Sequence, residues 1–313
     1  MSVPATPDRE AAQGVAFGLA AYVMWGCFPL FFALFEGVPA FEVLIHRIIW
    51  SCLFLVALIT LMRRWAPIRL ALAEPRRLGR VLGCALLIAV NWGLYIYAVE
   101  TRQVFQASLG YFLTPLVNVA LGMLVLRERM AALQGVAVTL AGAAIAIQLV
   151  LLGELPWISL TLAFSFGTYG LLRKQVPLDG LSGLFVETLL LLPLGLIALG
   201  GLAAAELSHF LGGTRTTLLL MASGAITALP LLAFAGAARR LRLATLGFLM
   251  YLNPTIQFFI ALLVFHEPLA PTLLASFTLI WVSLALYSWS AWQGRPRPSP
   301  STSPTTGGNR EPG

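Results

Sequence analysis

Three ionisable residues stand where the sequence is otherwise apolar. His46 and Arg47 sit side by side, and Glu187 interrupts the run Gly180–Ala205. An ionisable group inside a membrane-length apolar segment is costly, so it usually faces a cavity or a partner. Arg47 keeps its charge and suits an anionic group such as a carboxylate or phosphate. His46 and Glu187 can change charge and so could couple proton movement to another event. A plainer reading has Arg47 snorkelling toward one surface and Glu187 toward the other, each merely ending a helix.

A second set is polar or aromatic within apolar runs: Trp25, Asn91, Trp92, Tyr95, Tyr111, Asn118, Tyr169, Tyr251 and Gln257. Asn91 and Tyr95 are four apart and share a helix face. An aromatic lining with a few hydrogen-bonding groups suits a small amphipathic molecule, although ordinary packing also uses such residues. Gly110 with Pro115, and Gly247 with Pro254, place breakers inside long apolar stretches and are candidate hinges. Carbonyls freed there need partners, which Thr114 and Asn253 could be. Glu128 and Glu267 each precede a helix, where a carboxylate caps favourably.

The elements that must position these residues follow from composition. Of 313 residues, 59% are apolar and only 11% charged, against ~25% charge in a soluble domain. So few charges cannot cover a water-facing surface, and the lipid bilayer must take its place. Stretches free of Asp, Glu, Lys and Arg run Gly14–Phe35, Ile48–Met62, Val81–Val99, Gln103–Leu126 and Met130–Gly153. They continue with Leu155–Leu172, Gly180–Ala205 (Glu187 apart), Thr216–Ala238, Leu243–Phe265 and Pro268–Gly294. A span needs ~20 apolar residues, so the expectation is ten transmembrane helices in an all-α membrane protein. The second stretch is long enough if its helix starts soon after Pro39, which puts Arg47 ~10–12 Å below the outer surface.

With the N-terminus inside, seventeen of the twenty Lys and Arg fall on the cytoplasmic side. Only Arg102 and Arg215 fall outside, and Arg47 lies within a helix. That asymmetry places both termini in the cytoplasm of a cell whose inner membrane the chain spans. Residues 1–13 lack the pattern of a cleaved signal, so the first helix reads as a retained anchor. Residues 295–313, rich in Arg, Pro, Ser, Thr and Gly, read as a disordered cytoplasmic tail.

The net charge of +7 sits in short arginine-rich loops, with no basic face interleaved with aromatics. Nucleic acid is therefore not an expected partner. Cys27, Cys52 and Cys84 have no paired spacing, and His46, His209 and His266 are scattered, so no disulfide, metal site or cofactor is expected. Neither a phosphate-binding glycine loop nor paired carboxylates argue for an ATPase or an enzyme. Gly14 and Gly18 form a GxxxG, the pattern of a helix-pairing face, which leaves a homodimer open.

An internal repeat is legible. Ala107-Ser108-Leu109-Gly110-Tyr111-Phe112 and then Pro115 precede Glu128, which lies thirteen residues after that proline. Ala244-Thr245-Leu246-Gly247-Phe248-Leu249 and then Pro254 precede Glu267, again thirteen residues on. Trp25-Gly26 and Phe166-Gly167 correspond more loosely. Five helices per half is odd, so the copies, residues 14–153 and 155–294, should lie inverted in the membrane. Inverted repeats give two similar-energy arrangements, with a site between the halves.

Several stretches together resemble the EamA family of the drug/metabolite transporter superfamily. They are Ala21–Gly26, His46–Ser51, Asn91–Tyr95, Ala107–Phe112, Leu162–Phe166 and Arg239–Phe248. The resemblance implies a ten-helix inner-membrane permease with both termini inside, but not its cargo. One departure stands out: the family usually has Gly before the two repeat glutamates, whereas Arg127 and His266 stand here. The leading expectation is thus a secondary permease, in the export direction, for a small polar or amphipathic metabolite or drug. A lipid-linked carrier flippase, or a membrane partner or sensor that moves nothing, remains open.

Overall fold

A computed structural model describes residues 7–126, 132–152, 155–173, 175–238, 240–241 and 249–293. Among them every regular element is helical: α1 (Pro7–Gly26), α2 (Phe28–Phe32), α3 (Ala40–Leu61), α4 (Ala66–Ala73), α5 (Pro75–Glu100) and α6 (Val104–Leu126). The chain continues with α7 (Ala132–Leu152), α8 (Trp157–Arg173), α9 (Gly180–Ala204), α10 (Thr214–Ala238), α11 (Leu252–Leu263) and α12 (Pro271–Gln293). Among the described residues, five helical segments are long and apolar enough to cross a membrane: Glu10–Phe32, Ala40–Leu61, Pro75–Glu100, Gly180–Ala204 and Thr214–Ala237. Shorter apolar stretches lie in α7, α11 and α12. Glu128, Gly247 and the tail 295–313 fall outside the described residues.

The helices differ from the apolar runs in instructive ways. α3 starts directly after Pro39, and its first N–H donates to Glu100 Oε2 at 3.1 Å. This makes the second apolar stretch a full span carrying His46 and Arg47. α5 extends back through Arg76, Arg77 and Arg80, which lie at its mostly exposed start. The first stretch breaks at Cys27, and Pro29 sits in the first turn of the short α2, where its missing N–H costs nothing. Pro115 lies inside α6, but Pro193 and Pro230 lie equally inside α9 and α10, so interior proline does not single out one helix. Pro254 lies in the first turn of α11 rather than mid-helix.

α3 sits centrally, packed on α5, α9 and α10. Around it α1 packs on α10 and α11, α8 on α5 and α6, α6 on α11, and α7 on α12. Buried hydroxyls join these helices: Ser276 donates to Ala144 O at 3.1 Å, Ser283 to Ala137 O at 2.6 Å and Ser108 to Pro254 O at 2.8 Å. In lipid such contacts and close backbone approach replace the hydrophobic effect as the glue. The closest approach of backbone to a glycine, among the described residues, is at Gly224 of α10, where a Cβ would run into the Trp50 carbonyl and lie 2.6 Å from Ser51 N. Backbone cannot step aside as a side chain can. Gly224→Ala is therefore expected to cost about 1–3 kcal/mol of stability, read as a lower Tm of the purified protein.

Two glycine patterns of the sequence serve packing within the chain. At Gly110 a Cβ would meet Ser159 O at 2.8 Å, so this glycine lets α8 approach α6 closely. The GxxxG face is already covered from within the chain. A Cβ on Gly14 would meet Arg240 Cβ at 2.8 Å and one on Gly18 would meet Leu249 Cδ1 at 2.6 Å, so this pattern offers no free dimer surface.

Candidate functional site

Arg47 is the eighth residue of α3 and only 3% exposed. Its Nε donates to Thr227 Oγ1 at 2.8 Å, and that hydroxyl in turn donates to Ser223 O at 2.8 Å, which fixes its orientation. The guanidinium lies 4.1 Å from the Trp92 ring centroid, 5.3 Å from Phe32 and 5.5 Å from Phe28. Desolvated cation–π contacts contribute about 2 kcal/mol or more, offsetting part of the burial cost. Among the described residues no carboxylate pairs with Arg47. Its electrostatic neighbours are the Tyr95 and Tyr111 hydroxyls.

Those tyrosines connect Arg47 to Asn91. Tyr111 Oη donates to Asn91 Oδ1 at 3.2 Å, while Asn91 Nδ2 donates to Leu162 O and Ser165 Oγ, both at 3.0 Å. Tyr95 and Tyr111 have ring centroids 5.8 Å apart, and the Tyr95 hydroxyl is buried without a hydrogen-bond partner. The shared face of Asn91 and Tyr95 thus meets α6 and α8. A cavity of about 210 Å³ reaches Phe32 from the α2–α3 connection, with Val43, Ile96, Glu100 and Arg102 among its walls.

His46 does not join this group, because adjacent helical residues point about 100° apart. Its ring stacks on Phe210 at 4.7 Å, and its Nδ1 accepts from Trp50 Nε1 at 3.2 Å. Nearby, the buried Glu42 accepts from His209 N at 2.7 Å and Ser208 Oγ at 3.0 Å, and pairs with His209 Nδ1 at 2.7 Å. α3 thereby fastens the α9–α10 connection. Glu42 was missed because it falls between apolar runs, beside Pro39.

Glu187 forms a separate cluster. It is 1% exposed, pairs with Arg173 Nε at 3.5 Å, and accepts from Tyr169 Oη at 3.3 and 3.4 Å. Arg173 also donates to Leu178 O at 3.0 Å and Asp179 O at 2.8 Å, bracing the turn that starts α9. Asp179 caps that helix through Leu181 N and Ser182 N. Partial burial pushes the Asp179 carboxyl up, but hydrogen bonds from Ser182, the nearby Arg64 and Leu181 N outweigh it and hold it below the usual range. Cys84 lies within electrostatic reach of Glu187, as Trp92 does of Arg47. These α5 residues are eight apart, so the clusters sit roughly 12 Å apart along one helix.

The remaining candidates lie elsewhere. Trp25 packs with Tyr22 and Phe234 between α1 and α10, at centroid distances of 5.5 and 5.9 Å. Asn253 Oδ1 accepts from Gln257 Nε2 at 2.8 Å, and Thr114 Oγ1 donates to Gly110 O at 3.1 Å, so neither reaches the Arg47 group. Asn118 is exposed.

Glu267 caps a helix, but not the following one. Its carboxylate accepts from Val104 N at 2.7 Å and Phe105 N at 2.9 Å, closing the start of α6 from 163 residues away. Beside it His266 adopts φ 50°, the left-handed region that favours glycine, so this turn does demand an unusual backbone. Glu267→Ala strands two buried N–H groups and is expected to cost about 1–2 kcal/mol, measurable by chemical denaturation in micelles.

The profile of the EamA-like transporter family matches residues 12–150. Protein RarD of Salmonella typhimurium is 44% identical over 284 residues, covering 90% of this chain and 97% of its own. The chloramphenicol-sensitive protein RarD of Pseudomonas aeruginosa is 34% identical, covering 90% and 96%. A chain of known crystal structure aligns with a TM-score of 0.55 at 18% identity, over 89% of this chain and 98% of that one, which shows a common fold. The chain belongs to the EamA-like transporter family, alongside RarD proteins, and is a multi-pass membrane transporter.

Proposed function

We propose that the chain is a secondary permease that moves a small polar or amphipathic metabolite or drug outward, by alternating access between two inverted five-helix repeats. In this reading residues 14–153 and 155–294 are the repeats, ten helices cross the inner membrane, and both termini lie in the cytoplasm. The observation that carries it is the pair α3 and α9. They pack against each other, and each bears a buried charged residue seven positions after its first: Arg47 and Glu187. Other helix pairs exchange under the same half-swap, with α1 on α10 matched by α8 on α5, and α6 on α8 by α11 on α1.

Arg47, Asn91, Tyr95 and Tyr111 form the substrate side of this scheme, and Glu187 with Tyr169 and Arg173 the coupling side. The name of the Pseudomonas relative makes amphenicols reasonable members of a test panel. Purified protein in liposomes under an imposed proton gradient is the direct assay. Gradient-driven flux of one compound from pooled metabolites and amphenicols supports the permease. A folded preparation that moves nothing under a gradient, and exchanges nothing when preloaded, rejects it in favour of a non-transporting role.

A further inference from the structure

We infer that the Arg47 site takes a small organic monocarboxylate with a flat apolar body, such as an arylalkanoate. This rests on the permease reading and narrows its substrate class. A guanidinium has five N–H donors, and only Nε–H of Arg47 has a protein acceptor among the described residues. The two carboxylates in neighbouring parts of α3 and α9 are both engaged elsewhere, Glu42 with His209 and Ser208, and Glu187 with Arg173 and Tyr169. The terminal nitrogens thus form an unused fork of the geometry that matches a carboxylate in two parallel hydrogen bonds.

Charge count selects among anions. Arg47 is the one cation of its cluster among the described residues. A monoanion neutralises it, whereas a phosphate dianion leaves a net negative charge in low dielectric. The walls select the body: Trp92, Phe28 and Phe32 lie around the guanidinium, and Tyr95 and Tyr111, tilted against each other, are within its electrostatic reach. The Tyr95 hydroxyl, buried in a residue 2% exposed and lacking a partner, supplies one further hydrogen bond to the same ligand. A neutral amide would leave the cation uncompensated, and an amine would repel it.

The test is thermal stabilisation of the purified full chain by benzoate, phenylacetate and 3-phenylpropionate, beside 3-phenylpropionamide, 2-phenylethylamine and phenyl phosphate. Ligands that bind the native state raise its Tm. The expected result is a rise with at least one acid and none with the amide or amine, with phenyl phosphate weaker by about tenfold or more. Arg47→Gln should weaken the acid by about 30-fold or more, and Tyr95→Phe by a few fold. Equal stabilisation by the amide, tighter binding of the phosphate, or no stabilisation by any acid overturns the inference. The wild-type panel decides this even if the Arg47 variant fails to fold. The two readings fail separately: flux of neutral solutes alone overturns this inference but keeps the permease, whereas acid binding without flux or exchange keeps the site and rejects the permease.

Discussion

Arg47→Gln should abolish transport while leaving the protein about as stable as the wild type, or more so. The two effects run in opposite directions because the residue carries a buried charge that no protein carboxylate compensates. Removing it forfeits one hydrogen bond to Thr227 and three cation–π contacts, but also relieves the cost of holding a cation in a low-dielectric bundle. Thr227 loses the donor to its oxygen but still donates to Ser223 O, so its hydroxyl keeps one hydrogen bond. Losing one partner of a desolvated charge pair costs about 2–5 kcal/mol, which corresponds to a flux loss of roughly 30-fold to several thousandfold. Initial flux into liposomes, paired with Tm of the same preparation, checks both halves. A Tm that falls in step with flux would make Arg47 a structural residue.

Glu187→Gln should uncouple rather than block. The amide keeps the shape and can accept from Tyr169, but it cannot release a proton. One pH unit supplies about 1.4 kcal/mol per proton, enough for roughly tenfold accumulation at one proton per solute. Wild type should approach that ratio, and the variant should equilibrate without accumulating while still exchanging preloaded solute. Accumulation at the wild-type ratio would remove Glu187 from proton coupling. Arg173, left without its carboxylate, retains carbonyl acceptors at Leu178 and Asp179, which protects the fold.

Much of this arrangement was legible locally. A proline ahead of a long apolar run fixed the start of α3, and hence the place of Arg47 as its eighth residue. The four-residue spacing of Asn91 and Tyr95 placed both on one face, where they meet Tyr111. What escaped was partnership across the chain. Glu42 reaches His209 over 167 residues, Glu267 reaches Val104 over 163, and Arg47 reaches Thr227 over 180. Periodicity reports which face a residue occupies, not which helix covers it. Arg173 was counted as a loop charge, because a span of low charge ends where it begins; its side chain nevertheless folds back to Glu187. The left-handed turn at His266 was hidden for a different reason, since glycine normally announces such a position and histidine does not.

Alternating access around Arg47 is most directly tested by labelling a single cysteine at Phe28, whose ring lies 5.5 Å from the guanidinium. Phe28→Cys is placed in a background with Cys27, Cys52 and Cys84 replaced, and a membrane-impermeant thiol reagent is applied from each side of oriented vesicles. The permease account predicts labelling from both sides, with transported solute shifting the balance between them. Labelling from one side only, unchanged by any solute, would contradict it.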